Sequence, residues 1–197
     1  LEIIEFQKFI EERHITRSRK KSGKVQTLLI ESENQEARVS NLILLSNLKI
    51  KIHGWYIETG HVRDEKDHFQ LREYFESELR KVRTANLSVT EEIYLQQCYM
   101  WYYYIMLDFE KCHHHAELWV KAFDENPSHM RADPVLYMRG LSYAFTSLYS
   151  LRDYNRYVKA LEKFEAFTIS HEKFFDMTGQ IISFLYLYTA KINRHFS

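Results

Sequence analysis

Three short stretches, TGHV at 59–62, LDFE at 107–110 and RDYN at 152–155, recur along this chain at intervals of about 45 residues. Each sets a polar or glycine tip in front of an apolar anchor: Val62, Phe109 and Tyr154. An interval of that length suits a two-helix repeat. Strands are a poor alternative, because a sandwich or barrel needs a residue of special φ at nearly every tight turn. This chain has only five glycines and two prolines among 197 residues. It is therefore expected to consist of long helices with short links, and short links make neighbouring helices antiparallel.

Local signals mark where those helices begin. Ser88 followed by Glu91 has the spacing of a capping box, in which each side chain satisfies a free amide at a helix start. Asp133-Pro134 makes the same statement with an aspartate N-cap and a proline at the first helical position. Gly60 stands where a helix ends in the left-handed conformation, and Asp64 is placed to cap the next one. These marks predict helices at about 35–60, 64–84, 89–107, 109–126, 133–151, 154–169 and 173–195.

The expected organisation is a single helical-repeat domain over 1–197. An N-terminal helical segment with a basic connector (1–34) precedes hairpins at 35–84, 89–126 and 133–169, and an unpaired terminal helix occupies 173–197. The first helix of a hairpin is apolar nearly all round, as in CYMWYYYIML at 98–107 and LSYAFTSLYSL at 141–151. The second is amphipathic: Val158, Leu161, Phe164 and Phe167 keep one face in YVKALEKFEAF. Stacked hairpins account for the contrast, since inner helices touch neighbours on several sides and outer ones keep a face in water. The chain opens LEIIEF without an initiator methionine and stops at RHFS inside a helical pattern, so it is expected to be a fragment of a longer protein.

The segments YLQQCYMWYYYIMLDFEKCHHHAELWVKAFDENP and ADPVLYMRGLSYAFTSLYSLRDYNRYVKALEKFEAF resemble units of the tetratricopeptide-like helical repeats. The repeats here are longer, near 45 residues against the family's roughly 34, and place Met100, Phe145 and Tyr157 where the family packs small residues. The resemblance implies an all-α, right-handed α-solenoid of antiparallel helical hairpins. Alignment of the turns with the family pattern brings Gln97, Trp101, Tyr104, Arg139, Ser142, Tyr143 and Thr146 toward the concave face. An aromatic groove with an arginine and hydrogen-bonding groups suits an extended or helical peptide. The expected function is a non-enzymatic protein- or peptide-binding scaffold. Long, tyrosine-rich repeats also resemble those of peptide-sensing bacterial transcription regulators, and the alternative is the sensory region of such a regulator, its DNA-binding part lying outside this chain.

Other candidate sites carry weaker chemistry. In FEKCHHHAELW, Cys112, His113, His114 and His115 are consecutive, and helical neighbours diverge by about 100°, so they cannot close on one ion. Cys112 is expected inward and the histidines at the rim or against the adjacent repeat. His61, Asp64 and His68 fall at i, i+3 and i+7 and would be the metal ligands of an enzyme built on a helical bundle, but Asp64 is also needed as a cap. Of nine aromatic positions in the tyrosine stripe (Tyr94, Tyr99, Trp101–Tyr104, Tyr137, Tyr143, Tyr149), most are expected in the core.

Formal net charge is zero, so nucleic acid is not an expected partner unless through the basic stretch at 13–24. The richest apolar run, IISFLYLY at 181–188, is less than half a membrane span. Two cysteines, Cys98 and Cys112, are too few for a disulfide scaffold and too far from a shared hairpin tip to pair, which points to the cytoplasm. No cofactor or resident metal is expected, and a homo-oligomer is compatible with the same surfaces.

Overall fold

The computed structural model describes residues 22–195 together with Ile3, Gln7 and Lys8. Arg13, Arg17, Arg19, Lys20 and Lys21 of the basic stretch lie outside the described residues. Among the described residues the chain is all-α, with eight α-helices and one 3-10 turn. The helices are α1 (Ser22–Thr59), α2 (Glu65–Leu79), α3 (Val89–Ile105), α4 (Phe109–Asp124), α5 (Pro127–Ala132), α6 (Pro134–Ser150), α7 (Tyr154–His171) and α8 (Met177–His195). The 3-10 turn, Glu172–Phe174, links the last two.

Caps explain most boundaries. The Ser88 hydroxyl accepts the Glu91 N–H while the Glu91 carboxylate accepts the Ser88 N–H at 2.8 Å, closing the capping box. Asp64, Asp108, Asp133 and Asp153 each accept a backbone N–H three residues on, starting α2, α4, α6 and α7. Gly60, at φ +79°, ends α1, its N–H donating to the Tyr56 carbonyl.

Three boundaries differ from the sequence expectation. The first helix starts at Ser22, well before 35, because neither glycine nor proline interrupts residues 24–53. Helix α2 stops at Leu79, not 84, and its exit is held from outside. The buried Asn41 of α1 accepts the Arg83 N–H and donates to the Arg83 carbonyl, both at 2.8 Å, and donates to the Glu91 carboxylate at 2.9 Å. Finally, Asn126-Pro127 opens a separate short helix, α5, between the predicted helices at 109–126 and 133–151.

The two hairpins α3–α4 and α6–α7 share one register. Their N-caps, Ser88 and Asp133, then Asp108 and Asp153, lie 45 residues apart. Both hairpin turns are closed by the same pair of bonds, Asp108 N–H to Tyr103 O with Leu107 N–H to Tyr104 O, and Asp153 N–H to Leu148 O with Arg152 N–H to Tyr149 O. This is the Schellman arrangement, and it sets Leu107 and Arg152 at φ +60° and +58°, where glycine is the usual occupant.

Packing runs in chain order: α1 lies on α3, α3 on α4, α4 on α6, α6 on α7, and α8 rests lightly on α6 and α7. Two cores result. One gathers Leu45, Leu48 and Ile52 of α1, Leu71 and Phe75 of α2, and Leu95, Cys98, Tyr102 and Ile105 of α3. The other gathers Met100 of α3, Trp119 and Phe123 of α4, and Leu141, Phe145, Tyr157 and Phe164 farther along. Helix α3 feeds both, and Trp101 and Tyr103 pack against each. That is why its sequence is apolar on every side. Close approach of α6 to α4 depends on Gly140, where a Cβ would sit 3.2 Å from a Val120 methyl and 3.3 Å from the Trp119 ring.

The tyrosine stripe is less buried than expected. Tyr102 and Tyr137 are in the core, whereas Tyr94, Tyr99, Tyr103, Tyr104, Tyr143 and Tyr149 are half-buried. Partial burial of this kind suits tyrosine, whose ring is apolar and whose hydroxyl is polar. Among the described residues no helix is long and apolar enough to cross a membrane.

Candidate functional site

Four helices, α1, α3, α4 and α6, meet around a cavity of about 120 Å³. Three of them contribute side chains one turn apart: Lys49 and His53 from α1, Gln97 and Trp101 from α3, Arg139 and Tyr143 from α6. Residues at i and i+4 share a helix face, so each pair lines the cavity as a short column. Trp119 of α4 and Ile50 of α1 complete the lining.

Of the seven residues the sequence assigned to a groove, Gln97, Trp101, Arg139 and Tyr143 come together here. Tyr104 stands one turn from Trp101 with its ring at 5.7 Å, beyond the cavity. Ser142 is buried and its hydroxyl donates to the Arg139 carbonyl at 2.7 Å, within its own helix. Thr146 is exposed and does not line the cavity. Lys49, His53 and Trp119 carried no groove signal in the sequence. The first two belong to a helix outside the two units that show the repeat, and Trp119 sits on the second helix of its hairpin, where an apolar residue reads as core.

The wall is a continuous run of rings. Trp119 meets Tyr143 at 5.9 Å, Tyr143 meets Trp101 at 5.4 Å, and Trp101 meets both His53 at 4.5 Å and Tyr56 at 5.6 Å. From there the run continues to Tyr104, His61 and Phe109. Edge and tilted contacts of this kind add about 0.5–1.5 kcal/mol per pair beyond area burial and hold the rings in place.

The polar residues in this apolar frame include two cations, Lys49 and Arg139, alongside Gln97, His53 and Tyr143. Gln97 is 4% exposed and Trp119 1% exposed, yet the Gln97 Nε2 and Trp119 Nε1 groups have no hydrogen-bond partner. Burial holds the Lys49 ammonium below its ordinary pKa, and the nearby Arg139 guanidinium pushes the same way. The Lys49 ammonium also stands 4.4 Å from the centre of the Tyr94 ring. Burial raises the Tyr143 hydroxyl well above a free phenol, so it stays neutral and protonated. No aspartate or glutamate lines the cavity, and among the described residues neither Lys49 nor Arg139 forms an ion pair with a carboxylate.

A larger hollow of about 420 Å³ lies along α4, α6 and α7. Several of its charges have partners: Lys163 meets Asp124 at 2.9 Å, and Glu117 meets His113 and Arg156. Three of its four Lys and Arg side chains, Lys121, Arg156 and Lys163, thus have carboxylate partners, in contrast to the cations of the smaller cavity.

The histidine run disperses as its helical phase demands. Cys112 is buried, His113 is buried and pairs with the Ala144 carbonyl and the Ser147 hydroxyl of α6, and His114 is exposed. His115 stacks on Tyr99 and Tyr103 and pairs with Gln96 at 2.6 Å. Burial, with His114 beside it, lowers its pKa to about 4. Cys98 and Cys112 are both free and buried, in different cores, and burial lifts each thiol to about 12. His61 pairs with the Tyr104 carbonyl at 3.0 Å, while Asp64 caps α2. Among the described residues no group of three or more histidine, cysteine, aspartate or glutamate side chains converges as a metal would require. No family model, curated protein or solved structure matches this chain.

Proposed function

We propose that this chain is a right-handed array of helical hairpins whose inner flank binds a protein or peptide segment without chemical turnover. The cavity between α1, α3, α4 and α6, with its aromatic wall and unpartnered donors, is the observation that carries this reading. The 45-residue register of the caps and the chain-order packing support the array. At about 120 Å³ the cavity is smaller than the roughly 300–1,000 Å³ of small-molecule sites, so it suits one end group of a longer ligand lying along the rings. Rings fixed by packing lose little entropy on binding, which leaves the partner segment to bear most of the ordering.

A random-peptide selection on the immobilised chain tests the proposal. Selected sequences are expected to bind the native protein at least about tenfold more tightly than Trp101→Ala or Arg139→Ala; Arg139→Ala should melt close to native, whereas Trp101→Ala, which removes ring contacts beside both cores, should melt lower yet stay folded. Peptides that bind all three proteins equally, or a selection that yields none, would remove the groove as the working surface.

A further inference from the structure

We propose that the cavity bounded by Lys49, Gln97, Trp119 and Arg139 binds a carboxylate of the partner segment, either an acidic side chain or a free C-terminus. The proposal rests on the peptide-binding reading for where the carboxylate comes from, but not for the cavity's preference.

Buried N–H groups almost always have acceptors, because leaving one unpaired carries its full desolvation penalty. Here two residues that carry such groups, Gln97 and Trp119, line the same small space, and so do the cationic residues Lys49 and Arg139, with no carboxylate among the lining residues. An ionised carboxylate is an acceptor only, with about four lone-pair sites on two oxygens, and can take bonds from several donors at once. Water could satisfy the donors yet would leave both positive charges uncompensated.

Size and shape narrow the ligand further. A volume of about 120 Å³ would take a carboxylate and its adjoining carbon beside the edge-on pair of Trp101 and Tyr143, whose centroids stand 5.4 Å apart. A phosphate fits less well, because its usual partners, free backbone amides at a helix start, are missing. All the lining residues sit inside helices whose amides are already bonded along the axis.

The test uses the full chain and tryptophan emission, since two of its three tryptophans, Trp101 and Trp119, line the cavity. At constant ionic strength the probes are sodium acetate, sodium phosphate and three peptides: acetyl-Leu-Leu with a free C-terminus, acetyl-Leu-Glu-Leu-amide, and acetyl-Leu-Gln-Leu-amide as the neutral control. Acetate is expected to give a saturable response, and one of the two carboxylate peptides to bind about tenfold more tightly than acetate or the neutral control; which one does so identifies the source. Arg139→Gln, at an exposed position, and Gln97→Met are each expected to weaken acetate binding about tenfold. Gln97→Met should leave the melting temperature unchanged or raised, because it deletes an unpartnered donor; a glutamine with a purely structural role would lower it.

Acetate binding that depends on Arg139 and Gln97, with no peptide exceeding acetate, would keep the carboxylate site and remove the peptide reading. Equal binding of the glutamate and glutamine peptides with no response to acetate would do the reverse. Tighter binding of phosphate than acetate, or an acetate response unchanged in both variants, overturns the assignment.

Discussion

The hairpins α3–α4 and α6–α7 begin from the same register and end up with different inner flanks. Forty-five residues separate their caps, and their turns close with matching bonds. Yet where the first hairpin has Gln97 and Trp101, the same positions of the second hold Ser142 and Thr146, one turned into its own helix and one exposed. Trp119 in the first corresponds to Phe164 in the second, both buried, but only the first carries an N–H left without a partner. Backbone repetition thus fixes the frame while single positions decide which stretch of it can recognise anything. The candidate site belongs to the first hairpin, and the second contributes Arg139 and Tyr143 to it from the side.

If the frame is common to both, truncating its central ring should hurt equally. Trp119→Ala and Phe164→Ala are each expected to lose about 3–5 kcal/mol in chemical denaturation. A loss at Phe164 under half that at Trp119 would break the equivalence of the two hairpins.

Acid should separate them. Glu91 is buried, and although burial alone would raise its pKa, bonds from Ser88 and Asn41 together bring it below the ordinary 4.5. A carboxyl depressed in the folded state adds stability that is complete above its unfolded pKa and is lost as pH falls through the folded one. Stability should therefore decline from about pH 4.5 downward, and Glu91→Gln, about 1–3 kcal/mol less stable at pH 7, should flatten that decline. The second hairpin has Leu136 at the matching position and should show no such sensitivity from its cap.

Smaller effects sharpen the likeness. Asp108→Ala and Asp153→Ala should each cost about 1 kcal/mol through the lost cap, measured by thermal melting. Leu107→Gly and Arg152→Gly should each stabilise the chain by roughly 0.5 kcal/mol, since both residues hold positive φ at the turn. A loss at either would show that the side chain contributes more there than the backbone strain removes.

Which parts were legible from the residues alone follows from the range of the forces involved. The capping box at Ser88, the Asp133-Pro134 start and the Gly60 stop are local, settled within four residues, and all stand as read. The end of α2 was not legible, because Asn41, some 42 positions away, terminates it by pairing with Arg83. Leu107 and Arg152 were missed as left-handed residues because neither is the glycine that announces such a turn. At the site, the one-turn spacing of Gln97 with Trp101 and of Arg139 with Tyr143 was visible, whereas the approach of Lys49 and His53 depends on how α1 crosses α3. Crossing geometry is decided by packing between helices, which no local pattern encodes.

Because α3 is shared by two cores, neither half of the molecule can come apart alone without stripping one side of that helix. Its amides should be the last to exchange with deuterium, opening only when the whole chain does. Proteolytic lifetime would then be governed by one all-or-none event centred on residues 89–105, whatever the looser ends are doing.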